Sequence, residues 1–150
     1  MQFSTHFTQQ LAIQHPVIMA PMFLVSNVAM MKAGMDNGVM ATFPSLNFRN
    51  KGELAAVLSD LNSYKAKGVT GNYGVNLIVQ QTNPLYKTHL NDCVTHKVPL
   101  LITSLGSPKE VIEQVHAYGG KVLCDVTNLL HAQKCYELGC DGFIAVGAGA

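Results

Sequence analysis

The sequence predicts an α/β protein in which short buried strands alternate with helices in a parallel sheet. Six short apolar runs recur along the chain, and their central residues are separated by 22, 35, 27, 21 and 21 positions. Strand-helix units repeated at such intervals predict parallel strands joined by right-handed crossovers. The chain is 48% hydrophobic and only 13% charged, which indicates strands that are buried on both faces. The central residues are Ile18, Met40, Val75, Ile102, Leu123 and Ile144.

Composition limits the partners and the compartment. At 150 residues the chain has the length of one ordinary domain. Ten basic against nine acidic residues give a formal charge of +1, and the basic residues form no cluster, so neither nucleic acid nor a membrane is an expected partner. The first residues lack a secretory signal pattern, and no apolar run approaches the roughly 20 residues that cross a bilayer. We therefore expect a soluble, cytoplasmic protein.

The four cysteines have no spacing typical of a metal site. There is no Cys-x-x-Cys pair and no histidine set at zinc-ligand distance. We expect buried, reduced thiols and no metal. The cysteines are Cys93, Cys124, Cys135 and Cys140.

The first strand and the loop after it form the most informative stretch. Residues 17–20 are a short apolar run stopped by Pro21, which predicts a strand buried on both faces. Ser26 or Asn27 can cap the following helix, which leaves residues 21–25 as a loop at the carboxyl end of the strand. Ligands of α/β proteins bind at that end. The loop is apolar and has no glycine, which favours a flat hydrophobic ligand over a phosphate.

The remaining elements follow from turn residues, prolines and capping residues that bound the apolar patterns. The predicted strands are 17–20, 38–43, 73–78, 99–104, 121–126 and 141–146. Helices are predicted to begin at Ser26 or Asn27, at Asn50, at Asn83-Pro84, at a capping box from Ser107 to Glu110, and at Thr127 or Asn128.

Two architectures fit six strand-helix units. A doubly wound sheet is complete at about this length, whereas a (β/α)₈ barrel needs roughly 250 residues. The sixth strand has no covering helix after it, and the sequence stops in a glycine-rich segment. We therefore expect an α/β (β/α)₈ TIM barrel represented by its first six strands, with residues 1–150 forming the N-terminal part of a single domain.

Three polar side chains stand at the carboxyl ends of predicted strands. Asn76 lies inside the apolar third strand, and its amide must find hydrogen-bond partners, either on neighbouring backbone or on a ligand. Ser104 and Asp125 end the fourth and fifth strands. Each of these two either faces the same mouth of the barrel or caps the following helix.

None of the six histidines has the position of a catalytic base. Two precede the first strand, and the others lie on or just after predicted helices, so each is expected at a helix surface or in a loop. They are His6, His15, His89, His96, His116 and His131.

Three sequence pieces together resemble a known family. These are PVIMAPM at 16–22, GVNL at 74–77 and DGFIAVGAGA at 141–150. They are similar to the FMN-dependent nitronate monooxygenases, formerly called 2-nitropropane dioxygenases. That family includes NAD(P)H-dependent flavin oxidoreductases and flavin-dependent enoyl-acyl-carrier-protein reductases.

The resemblance implies a (β/α)₈ barrel with FMN lying across the carboxyl ends of the strands. The backbone from Ala20 to Met22 would pass alongside the isoalloxazine ring, and Asn76 would bind its polar edge. The family's catalytic histidine follows the sixth-strand motif, and its phosphate-binding loops follow strands seven and eight, so no catalytic residue is assigned between residues 1 and 150. The residues expected at the cofactor are Ala20, Pro21, Met22, Asn76, Ser104 and Asp125.

Three functions follow from these expectations. The first is an FMN-dependent monooxygenase that oxidises alkyl nitronates, or similar small carbon acids, with O2. The second is an NAD(P)H-dependent flavin reductase of quinones or enoyl thioesters on the same scaffold. The third, of another class, is a non-catalytic doubly wound binding or signalling domain. The oligomeric state stays open.

Overall fold

A computed structural model describes residues 4–147, and the Gly-Ala-rich end at 148–150 lies outside the described residues. Six parallel strands form one sheet in the order β1-β2-β3-β4-β5-β6. The strands are β1 Ile18–Met19, β2 Met40–Pro44, β3 Asn72–Ile78, β4 Leu100–Ser104, β5 Lys121–Val126 and β6 Gly142–Ala145. The helices are α1 His6–Leu11, α2 Val28–Asp36, α3 Glu53–Lys65, α4 Tyr86–Thr95, α5 Lys109–His116 and α6 Leu129–Glu137, with a 3₁₀ turn at Ser45–Asn47.

The strand order confirms the barrel prediction. Each strand pairs in parallel with the next strand along the chain, so the sheet is a curled portion of a (β/α)₈ barrel. A doubly wound sheet would have the order 2-1-3-4-5. The doubly wound alternative is therefore excluded, and the binding or signalling domain proposed on that fold loses its structural basis. Within residues 4–147, no helix has both the length and the apolar character needed to cross a membrane.

Two layers of apolar side chains hold the sheet. The outer layer packs helices α2 to α6 against the convex face, and residues such as Met35, Leu58 and Val115 are completely buried there. The inner layer fills the concave side near the amino ends of the strands. Its members are Leu11, Ile13, Met40, Leu100, Ile102 and Leu123, with Phe7, Ile18 and Ile144 partly buried against them.

One predicted core residue faces the other layer. Five of the six central strand residues line the concave side, but Val75 packs into the outer layer against the helices. The reason is the alternation of side chains along a strand. Gly74 and Asn76 take the concave face of β3, so Val75 between them must point outward.

Helix α1 closes the amino-terminal end of the sheet and was not predicted. Thr5 caps it by accepting a hydrogen bond from the backbone N–H of Thr8. The helix places Leu11 in the inner layer. The buried Asn72 side chain then fixes it, because Asn72 Nδ2 donates to the Leu11 carbonyl oxygen at 2.9 Å. Six residues are too few to give a clear helical period.

Two helix starts are confirmed. Asn27 caps α2 by accepting from the N–H of Met30. Asn128, rather than Thr127, caps α6 by accepting from the N–H of His131.

The other three predicted helix starts are wrong, because the proposed caps bind elsewhere or lie too early. Asn50 does not cap α3. That helix begins after Gly52, and the Gly52 backbone is in the left-handed conformation. Asn83 accepts from the N–H of Leu85, in a turn that precedes α4. Ser107 makes no capping bond to α5, and the Glu110 carboxylate, which would complete the capping box, binds residues of α4 instead.

Replacing Leu11 with alanine should test whether α1 closes the fold. Leu11 is 3% exposed in the inner layer, so truncation removes buried apolar contacts and should lower the free energy of unfolding by about 2–4 kcal/mol. Leu129 is 88% exposed, and Leu129→Ala should change stability by less than about 0.5 kcal/mol. Denaturant unfolding of both variants gives the comparison, and equal effects would contradict the packing of α1.

Candidate functional site

The carboxyl ends of β3, β4 and β5 bring Asn76, Ser104 and Asp125 together. Asn76 pairs in register with Ile102, and Ser104 lies two residues further along β4. Ile102 in turn pairs with Leu123, and Asp125 lies two residues further along β5. Side chains two residues apart on a strand point to the same face. The three polar residues therefore share the concave face above the inner apolar layer, and we call them the mouth network.

The mouth network is a chain of hydrogen bonds across three strands. Ser104 Oγ donates to Asp125 Oδ2 at 2.5 Å. Asn76 Nδ2 donates to Ser104 Oγ at 2.7 Å and to the backbone carbonyl of Ile102 at 3.2 Å. All three side chains are half-buried, so they are held by the protein and still reach the mouth.

The network fixes the direction in which the Asn76 amide points. The Ile102 carbonyl and the Asp125 carboxylate are acceptors, so the Ser104 hydroxyl must give its proton to Asp125 and accept from Asn76. The reverse amide orientation would set Asn76 Oδ1 against the Ile102 carbonyl oxygen. No residue within 4–147 donates to Asn76 Oδ1 in the observed orientation, which leaves that oxygen as an acceptor for a ligand.

The alternative that Ser104 and Asp125 cap helices is not realised. Asn128 is the cap of α6, and α5 begins after Pro108 without a side-chain cap. For Asn76, the amide nitrogen makes the bond to neighbouring backbone, and the amide oxygen has no donor among residues 4–147.

Asp125 differs from the carboxylate at the opposite end of the same sheet. Asp141, just before β6, has a side chain 12% exposed and binds Lys121 at 3.0 Å and His116 at 2.8 Å. Burial raises the pKa of Asp141, but hydrogen bonds from the Val122 N–H, His116 and Lys121, together with the Lys121 charge, outweigh burial and lower the pKa overall. Among the described residues Asp125 forms no ion pair, so no protein cation compensates a charge on its carboxylate.

Residues Ala20, Pro21 and Met22 follow β1 at the same end of the sheet. The loop closes on itself, because Met22 N–H donates to Ser26 Oγ at 2.9 Å and Ser26 N–H donates to the Met22 carbonyl oxygen at 3.0 Å. Among residues 4–147, no hydrogen bond links this loop to the mouth network. The four residues from Met22 to Val25 are exposed, so the loop presents an apolar lip.

A second loop supports the lip. Asn47 Oδ1 accepts from the N–H of Leu24, and Asn47 Nδ2 donates to the Ser26 carbonyl. The Arg49 guanidinium lies over the Phe23 ring, 5.0 Å from its centroid. Sequence reasoning did not identify Asn47, because a loop asparagine becomes informative only when its long-range partners are known.

A cavity of about 960 Å³ opens between the loops that follow β3 and β4. Its lining includes Tyr86, Lys87 and Glu110, and Glu110 accepts from the other two at 2.8 Å and 2.6 Å. Hydrogen bonds from Lys87 and Tyr86 lower the pKa of Glu110, whereas burial and the bond to Glu110 raise the pKa of Tyr86. This cavity does not include the mouth network, so the two sites are separate.

The prediction that all histidines lie at surfaces is wrong for His89. That side chain is 3% exposed inside the helix layer, and burial lowers its pKa despite the opposing effects of Asp92 and the Phe48 backbone. It sits on the buried side of α4 with Leu90 and Cys93. His89 thus packs in the outer layer, away from the concave face.

Three of the four cysteines are buried, Cys140 is half-buried, and all four are free thiols. Thr103 Oγ1 donates to Cys124 Sγ at 3.3 Å. Burial raises the pKa of Cys93, Cys124 and Cys140. In the part of the chain that the structure describes, no group of three His, Cys, Asp or Glu side chains is arranged to hold a metal ion.

Solved structures with the same fold cover nearly all of this chain. FabK from Thermotoga maritima matches with a TM-score of 0.82 at 24% identity, over 95% of this chain and 44% of its own. Nitroalkane oxidase from Streptomyces ansochromogenes matches at 0.81 and 18% identity, over 97% of this chain and 49% of its own. A mandelate oxidase with a C4a-OH-FMN adduct matches with a TM-score of 0.59 at 15% identity. The match covers 87% of this chain and 48% of the mandelate oxidase chain. No protein-family model matches.

These matches establish the barrel fold. The chain spans less than half the length of FabK and about half that of nitroalkane oxidase. Its strands therefore correspond to a portion of each related barrel, and the similarity extends through all six strand-helix units.

We expect Cys140 to be the first thiol to react with iodoacetamide in the folded protein, because the other three are buried. Its pKa is raised by burial, against hydrogen bonds that lower it. The thiolate fraction, and with it the reaction rate, should therefore be below that of a free cysteine at neutral pH and rise as pH increases. Mass spectrometry of labelled peptides checks this order, with Cys140→Ser as the control. Equal labelling of Cys93 would contradict it.

Proposed function

We propose that residues 1–150 form the N-terminal part of an FMN-binding TIM-barrel domain of an oxidoreductase. The observation that carries the proposal is the unpartnered Asn76 Oδ1 in the mouth network, at the carboxyl ends of β3, β4 and β5. The FMN adduct in a mandelate oxidase of the same fold supports it. So does the sequence resemblance to FMN-dependent enzymes, whose motifs include the loop at Ala20 to Met22 and the strand that carries Asn76.

The residues present fit the flavin ring better than its phosphate. Asn76 Oδ1 offers an acceptor for a ring N–H, and the apolar lip from Met22 to Val25 offers contact area for a flat ring. The mouth network contains no Lys or Arg side chain, and the three residues Asn76, Ser104 and Asp125 offer the phosphate no positive charge. In this proposal the phosphate binds to groups outside the mouth network, as in barrels that hold it near strands seven and eight.

Bound FMN would supply the electron transfer, and the protein would supply orientation and electrostatics. In the proposed site Asn76 holds the ring's polar edge, Ser104 and Asp125 set the direction of the Asn76 amide, and Ala20, Pro21 and Met22 line the ring. The first candidate reaction is oxidation of an alkyl nitronate or similar carbon acid with O2. The match to nitroalkane oxidase supports this candidate by analogy.

A second candidate is reduction of quinones or enoyl thioesters with NAD(P)H on the same scaffold. The uncompensated carboxylate of Asp125 favours this candidate, because such substrates bring no negative charge to the mouth. The two differ in the electron donor. Rapid bleaching of flavin absorbance by NADH or NADPH without oxygen would favour the reductase, and bleaching by a nitronate alone would favour the monooxygenase.

Flavin titration should separate the contribution of Asn76 from that of the phosphate. In the full-length protein, Asn76→Ala removes one hydrogen bond, worth about 1 kcal/mol, and should weaken FMN binding about fivefold. The isolated segment 1–150 should bind FMN more weakly by orders of magnitude, because several charge-assisted phosphate bonds of about 1.5–3 kcal/mol each would be lost.

The matched control is Asn91→Ala, which removes an exposed amide on α4 and should leave affinity unchanged. Fluorescence titration of the four samples gives the dissociation constants. Equal affinity for FMN in all four would refute both the Asn76 assignment and the proposal that 1–150 is part of a larger flavin-binding barrel.

A further inference from the structure

We propose that Asp125 sets the charge specificity of the mouth, which admits neutral ligands and disfavours anions. The inference rests on the proposed function in placing substrate at this mouth, and it refines that function by choosing among the candidate substrates. Asp125 is thereby assigned as a specificity-determining residue rather than as a helix cap or a structural ion-pair partner.

The mouth network presents acceptors to a ligand and no free donor. Asp125 Oδ2 accepts from Ser104, and the Ser104 and Asn76 donors are both used within the network. Two oxygens are left over, Asn76 Oδ1 and Asp125 Oδ1, and no side chain or backbone group within 4–147 donates to either. The proposed function assigns Asn76 Oδ1 to the flavin ring, so Asp125 Oδ1 is the oxygen that is left without a partner.

The charge on Asp125 has no counterpart in the described protein. Three carboxylates elsewhere in the described protein are paired, as Asp60 is with Lys32 at 2.8 Å and Glu110 with Lys87 at 2.6 Å. Within residues 4–147, the Asp125 carboxylate accepts a hydrogen bond only from the neutral hydroxyl of Ser104. Because it is half-buried, water screens its field less than that of an exposed carboxylate. The negative electrostatic field of the Asp125 carboxylate therefore acts on any ligand that binds at the mouth.

The position of this carboxylate is fixed before a ligand arrives. Asp125 lies inside β5, in register with Ile144 of β6, and Ser104 on the neighbouring strand holds one of its oxygens. A carboxylate tethered in this way cannot swing away from an anionic ligand. Repulsion between two charges about 6 Å apart, at an effective dielectric constant of about 20 and reduced further by solvent, corresponds to roughly a tenfold loss of affinity.

Benzamide and benzoate provide a test, because they share one shape and differ in charge and in the N–H donors. Both are unreactive toward flavins, so binding is measured without turnover. Titration calorimetry of the full-length protein should show benzamide binding about tenfold more tightly than benzoate. Asp125→Asn keeps an oxygen that can accept from Ser104, and it should improve benzoate binding about tenfold with little change for benzamide.

Two variants separate charge from other effects. Ser104→Ala breaks the hydrogen-bonded chain but keeps the carboxylate, so the preference for benzamide should persist. Glu137→Gln removes a charge from the exposed end of α6, far from the mouth, and should leave both affinities unchanged.

Three results would overturn the assignment of Asp125. These are equal affinities in the unmodified protein, an equal change for both ligands in Asp125→Asn, or the same gain for benzoate in Glu137→Gln. Flavin content, measured separately by absorbance, tests the proposed function. Absence of flavin would refute that function, while the calorimetric preference would still decide the role of Asp125.

Discussion

The parallel register of β3, β4 and β5 is the constraint on which the candidate site depends. Successive pairing sets Asn76, Ile102 and Leu123 side by side, and the alternation of side chains then sends Ser104 and Asp125 to the same face. A register shift of one residue on β4 would turn Ser104 toward the helices and break the mouth network. The apolar layer beneath resists such a shift, because it would also move Ile102 out of that layer.

The polar groups of the mouth also determine one another. A carboxylate and a backbone carbonyl can only accept, so the hydroxyl and amide between them have one consistent arrangement. The sheet thereby arranges three side chains into a site in which the direction of each hydrogen bond is fixed. Asp141 differs from Asp125 in its surroundings. Lys121, His116 and a backbone N–H all bind its carboxylate, so Asp141 has a structural role.

The strands and their order were predictable because buried parallel strands are continuous apolar runs, whereas several local details were not. Helix α1 is held by the distant Asn72 and has no long period of its own. The capping box predicted at Ser107 is absent, and the Glu110 carboxylate binds Tyr86 and Lys87 of α4, which lie 24 and 23 positions away in the chain. Sequence identified Asn76, Ser104 and Asp125 one at a time. Their mutual bonds, and the free oxygen of Asn76, depend on register between strands that are distant in the chain.

The docking of α1 has a consequence for the order in which the chain assembles. The bond from Asn72 to the Leu11 carbonyl joins residues 61 positions apart, so closing that loop costs more entropy than pairing neighbouring strands. Its apolar partners lie on β2, β4 and β5 as well. We therefore expect a chain emerging from the ribosome to keep α1 undocked until at least five strands exist, although α1 is synthesised before any of these strands.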